Sequence, residues 1–85
     1  MPWRVIVDPS AVKQLLRLPK KDILRIRFIL TEIGNNPFSG DIRKMKGEDS
    51  IWRRRVGSYW IKYELCLSEN IVYIFDIECR GSNTY

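Results

Sequence analysis

The sequence predicts an α+β fold: an N-terminal strand, a two-helix hairpin, then antiparallel strands forming one sheet. Three observations carry that expectation. A short β-branched run, Trp3 to Val7, closes at Asp8-Pro9, and two apolar stripes of helical spacing follow, separated by Pro19 and stopped at Gly34-Asn35. The second half of the chain alternates with period two around a tight Gly57-Ser58 turn.

Each element has its own signals. Asp8 is placed to cap a helix and Pro9 to occupy its first position, where a missing N–H costs nothing. Val12, Leu15 and Leu16 then give an i, i+3, i+4 stripe, with Lys13 and Arg17 on the wet side until Pro19 ends the run. The second helix is expected from about Lys20 to Asn35, burying Ile26, Ile29, Leu30 and Ile33, with Pro37 sealing its stop. Residues 38–49 read as a loop around a short strand near Ile42 to Met45. Ile51 to Leu65 is a β-hairpin, and Ile71 to Glu78 is the final strand.

Gly57 at the first position of a two-residue loop suits a type II′ turn and sets the register. Val56 then faces Tyr59, Arg55 faces Trp60, Arg54 faces Ile61 and Arg53 faces Lys62, so one side carries Arg53, Arg55, Trp60 and Lys62. Arg53 opposite Lys62 is a like-charge pair that stability alone does not favour, and an anion would resolve it. With a turn at Ser68-Glu69-Asn70, uniform pairing sets Leu65 by Tyr73, Tyr63 by Phe75 and Ile61 by Ile77 on the core side. The other side pairs Glu64 with Ile74, Lys62 with Asp76 and Trp60 with Glu78, and places Arg80 by Ser58. Arg54, between Trp52 and Val56 on the core side, is expected to snorkel or to stack on aromatics.

Length and composition bound the rest. With 85 residues and 45% hydrophobic content, residues 1–85 are expected to form a single domain. A net charge of +5 and a pI near 9.5 favour polyanions without selecting one. No stretch approaches the roughly 20 apolar residues of a membrane span and no signal-peptide core is visible, so a cytoplasmic protein with no membrane partner is expected. Cys66 across from Val72 and Cys79 across from Tyr59 lie too far apart along the sheet for a disulfide, in keeping with a reducing compartment.

The charged face is either an ordinary solvated surface or a site, and one chemistry it could do is RNA cleavage by the 2′-hydroxyl. That reaction requires a proton acceptor at the hydroxyl, positive charge at the phosphorane oxygens and a proton donor for the departing 5′-oxygen. Arginine suits the second task, gripping phosphate through a planar fork while remaining charged. The chain has no histidine, so Tyr, Lys, Asp, Glu or water must move the protons, with Glu78 and Tyr85 the available candidates. Trp60 can stack on a base. Metal-ligand spacing, a Walker loop and a Ser/His/Asp set are absent, and neither a metal nor a small-molecule cofactor is expected.

The pattern resembles the RelE/ParE superfamily of toxins from toxin–antitoxin pairs. The resemblance rests on the early strand, the helical hairpin ending in N-P-F, the K-x-K-G run Lys44 to Gly47, W-R-x-R-V-G-x-Y at Trp52 to Tyr59, I-x-Y at Ile61 to Tyr63, and a last strand ending in Arg80 with Tyr85 shortly after. It implies a RelE-like fold and ribosome-dependent cleavage of mRNA in the ribosomal A site, with a cognate antitoxin as partner. Carried over by position, it gives Arg53, Arg55 and Arg80 phosphate or transition-state contacts, and Tyr85 a stacking or acid role. Lys44, Lys46, Trp60 and Lys62 fall to RNA binding. The chain departs from the pattern at Trp60, where active members carry Arg, and at Cys79, where many carry His. A ParE-like inhibitor of DNA gyrase, or an inactive member that only binds its antitoxin, are the alternative readings.

Overall fold

The computed structural model describes residues 3–45, 47 and 50–79. Its elements are β1 (Arg4–Val7), α1 (Pro9–Leu16), α2 (Lys20–Asn35), β2 (Ile42–Lys44), β3 (Ile51–Val56), β4 (Tyr59–Cys66) and β5 (Ile71–Cys79). The strands form one sheet in the order β1-β5-β4-β3-β2, antiparallel except for β1, which runs parallel to β5.

The expected start signal of α1 holds and α2 spans the expected Lys20–Asn35, but Gly34 and Asn35 lie inside α2 and extended Asn36 ends it. Asp8 caps α1, its carboxylate accepting from the Ser10 backbone N–H at 3.0 Å, and Pro9 fills the first helical position. On α2, Ile26 and Ile33 are fully buried with Ile29 and Leu30 packed beside them, as the stripe predicts. Both helices cover one sheet face, and their Ala11, Leu15, Ile26 and Ile33 meet Val56, Ile61, Tyr63, Leu65, Val72, Ile74 and Ile77 in a single core cluster. Gly57 has φ +57° while Ser58 is not left-handed, the combination a type II′ turn requires.

The β3–β4 register is the expected one at every pair from Arg53↔Lys62 to Val56↔Tyr59. The β4–β5 register is correct only in its first half. Tyr59↔Cys79, Trp60↔Glu78, Ile61↔Ile77 and Lys62↔Asp76 stand, after which a bulge between Lys62 and Tyr63 shifts the pairing to Tyr63↔Ile74, Glu64↔Tyr73, Leu65↔Val72 and Cys66↔Ile71. The extra residue turns Val72 and Ile74 into the core in place of the predicted Tyr73 and Phe75, which remain only half-buried. Tyr73 donates its hydroxyl to the Asp8 carboxylate instead.

The bulge falls where the neighbour of β5 changes. β1 ends at Val7↔Ile74, and beyond it Gln14 of α1 takes over the strand edge. Its Oε1 accepts from the Ile77 backbone N–H at 2.9 Å and its Nε2 donates to Asp76 Oδ1 at 2.8 Å. One amide side chain thus replaces a missing strand and fixes Asp76. Cys66 and Cys79 form no disulfide, as expected, but both are exposed instead of packed, and Cys66 stands opposite Ile71.

Candidate phosphate-binding face

The face away from the helices collects charge in two cross-strand rows. One runs Arg43, Arg53, Lys62, Asp76 across β2, β3, β4 and β5; the other runs Arg55, Trp60, Glu78. Strand alternation alone produces this grouping, because residues in register project to the same side.

Lys62 is the neutralised cation of the set. Its Nζ lies 3.0 Å from Glu78 Oε1 and 3.5 Å from Asp76 Oδ2. The hydrogen bond to Glu78 holds the ammonium above its ordinary pKa, against partial desolvation and with added help from the charges of both carboxylates. Lys62 is therefore a fixed charge rather than a proton shuttle, and its two partners balance it locally.

Arg53 and Arg55 differ from it. Among the described residues neither forms an ion pair. The Arg53 guanidinium lies over the Trp60 ring, its Cζ 4.3 Å from the centroid, and its Nε is buried with no hydrogen-bond partner among the described residues. Arg55, two residues along, is exposed. An open cleft of about 520 Å³ beside Arg53 is lined by Arg43, Lys44, Met45 and Arg53 itself.

Arg54 belongs to the other face. It is buried, not snorkelling, and its NH2 group pairs with Glu32 Oε1 of α2 at 3.1 Å. Gly40, with φ +81°, lies directly against it, and an added Cβ would overlap the guanidinium. The middle arginine of Arg53-Arg54-Arg55 is thus structural, and period-two alternation separates it from its neighbours.

Of the residues singled out in the sequence, Arg53, Arg55, Trp60 and Lys62 come together on this face. Lys44 stands in register with Trp52, which puts it on the helix side by alternation, yet it also contributes to the cleft wall. Lys46, Arg80 and Tyr85 lie outside the described residues. Arg43 was not singled out; only the β2–β3 register reveals it, and a three-residue strand has too short a pattern to be aligned from sequence.

Two helices on one face of a β1-β5-β4-β3-β2 sheet make up the RelE-like α+β fold. A sequence model of the ParE toxin of type II toxin–antitoxin systems, parDE, matches residues 5–83, and the chain belongs to this family within the RelE/ParE superfamily. A relative described as toxin RelE1 of Methanocaldococcus jannaschii is 25% identical over 83 residues, covering 94% of this chain and 92% of its own. The chain is similar in structure to the archaeal RelE–RelB complex from Pyrococcus horikoshii, with TM-score 0.83 and 26% identity over 95% of this chain and 98% of that one. It is likewise similar to the RelB–RelE antitoxin–toxin complex from Methanococcus jannaschii, with TM-score 0.75 and 29% identity over 91% and 92%.

Proposed function

We propose that this toxin is a ribosome-dependent mRNA endoribonuclease in which arginines stabilise attack by a 2′-hydroxyl on the adjacent phosphate. The observation that carries the reading is the contrast on the open sheet face: Lys62 is balanced by Asp76 and Glu78, whereas Arg53 and Arg55 have no carboxylate among the described residues. Two unbalanced guanidinium groups on one strand, the first held by Trp60, suit the charge that builds on a pentacoordinate phosphorus.

In this reading the 2′-oxygen bonds to phosphorus as its proton passes to water or to Glu78. The bond to the 5′-oxygen breaks, leaving a 2′,3′-cyclic phosphate, and the departing oxygen takes a proton. Arg53 and Arg55 hold the non-bridging oxygens, and Arg80 and Tyr85 serve as a third cation and the proton donor. The family resemblance supports these last two roles.

Primer extension on mRNA after induction tests the proposal. New 5′ ends in the wild type that vanish in Arg55→Ala support it, and no new ends in the wild type reject it. A gyrase-directed, non-catalytic role is the second reading, favoured by the match to the ParE family and by Trp60 in place of an arginine. Inhibition of supercoiling with intact mRNA would select it.

A cognate antitoxin is part of the same proposal. The archaeal relatives are seen in complexes with RelB, and the net charge of +5 favours an acidic binding segment. Leu24 and Phe28, one turn apart on α2, are more than half exposed and offer it an apolar foothold.

A further inference from the structure

Arg43 has no part in the arginine set proposed above, yet it stands directly opposite Arg53 across β2 and β3. The row it begins reads plus, plus, plus, minus. Its one carboxylate, Asp76, is already shared between Lys62 and Gln14, and Glu78 is taken by Lys62. Among the described residues neither Arg43 nor Arg53 forms an ion pair, although Asp41 and Glu64 lie on neighbouring positions. Like charges directly opposite in a sheet repel, so the pair is unfavourable unless something anionic sits between the two groups.

Two further observations point to what that anion is. Arg53 Nε is buried and lacks an acceptor among the described residues, as do Arg54 Nε and Nη1 on the helix side, but of the two arginines only Arg53 lines the open cleft. The cleft lined by both arginines, about 520 Å³, falls within the size range of small-ligand sites and can admit a nucleotide unit. It opens on the β2 side of Arg53, whereas Trp60 and Glu78 lie on the β4 and β5 side. A group held there is displaced sideways from the Arg55, Trp60, Glu78 row.

We propose that Arg43 and Arg53 clamp a backbone phosphate of single-stranded RNA next to the one that is cleaved. This rests on the endoribonuclease reading. Arg43 is a binding residue that fixes the strand's register, and Arg53 is shared between the two phosphates. A carboxylate from an acidic antitoxin segment would meet the same planar forks, and it is the competing outcome of the test.

The test is fluorescence anisotropy with a 2′-O-methyl RNA decamer, which cannot be cleaved, titrated with full-length wild-type, Arg43→Gln and Arg43→Lys proteins between about 50 and about 200 mM salt. Arg43→Gln is expected to bind roughly tenfold more weakly, with a log–log salt slope shallower by about 0.7, the value for one phosphate contact on a single strand. Arg43→Lys is expected to keep the slope. Relief of the repulsion from Arg53 should leave the unfolding midpoint of Arg43→Gln at or above that of the wild type in low salt, separating lost binding from lost folding.

Equal affinity and slope for Arg43→Gln, or no RNA binding by the wild type, would overturn the clamp, as would RNA binding left intact alongside weakened antitoxin binding. If Arg43→Gln matches the wild type while Arg55→Ala abolishes cleavage, the clamp fails and the nuclease stands. If the decamer results hold but no mRNA is cut, Arg43 and Arg53 bind an RNA phosphate without cleavage beside it, and the nuclease reading fails.

Discussion

The Tyr63 hydroxyl donates to the Pro37 carbonyl oxygen at 2.6 Å, in a place closed to solvent, and so ties the middle of β4 to the segment leaving α2. Burial pushes this phenol up to about 12 from 10.0, opposed only by the nearby Arg54 charge. The fold favours the neutral form, so the contribution to stability is complete below pH 10.0 and is lost as the pH climbs towards about 12. A shift of this size corresponds to about 2–3 kcal/mol. Thermal unfolding of Tyr63→Phe across the alkaline range should lack that component, while at neutral pH the variant should lose about 1–3 kcal/mol because a buried carbonyl loses its donor. An alkaline profile matching the wild type would show that other groups dominate.

Gly40 and Arg54 set a second expectation. Alanine at position 40 collides with the guanidinium and must hold φ +81°, so both sterics and backbone oppose it. Gly40→Ala should cost about 2–3 kcal/mol by chemical denaturation, combining displacement of a buried ion-paired group with left-handed strain. In an Arg54→Met background the same substitution should cost less. Equal costs in the two backgrounds would remove the contact as the cause.

Gln14 stands in for a strand at the edge of β5. Gln14→Leu leaves the Ile77 N–H unpaired and frees Asp76, and a loss of about 1–3 kcal/mol is expected. Hydrogen exchange should localise the change, with the Ile77 amide losing protection before those of β4. Unchanged protection there would contradict the edge-capping role.

Trp60 holds Arg53 by stacking. Trp60→Leu removes that support, worth about 1 kcal/mol at this half-buried site, and should weaken RNA binding about fivefold. Trp60→Phe should fall between the two. Tighter binding by Trp60→Leu would mean that the ring sequesters the guanidinium instead of presenting it.

Lys62 pairs with Asp76 and Glu78, and in the endoribonuclease reading it shields the proposed phosphate site from these carboxylates. Lys62→Met exposes Asp76 and Glu78 to the phosphate, so binding should drop by more than the loss of a single cation explains, and Lys62→Met with Glu78→Gln should recover part of it. No recovery in the double variant would assign Lys62 a direct phosphate contact.

Much of this architecture was written locally. Asp8-Pro9, the Ile26 and Ile33 stripe and the Gly57-Ser58 turn each act within a few residues, and so they defined β1, both helices and the β3–β4 register without reference to the rest of the chain. Because that register alternates sides, it also placed Arg53, Arg55, Trp60 and Lys62 together. Other features needed neighbours far away in sequence. The bulge that puts Ile74 in the core answers to where β1 ends and Gln14 begins; Arg54, already set on the helix side by alternation, is buried and ion-paired because Glu32 and Gly40 receive it there; and Arg43 meets Arg53 only once β2 is laid against β3. Capping, turn geometry and alternation are short-range physics that a sequence carries in full. Strand-edge sharing, burial of a charge and cross-strand repulsion depend on which segments come together, and that was settled only in three dimensions.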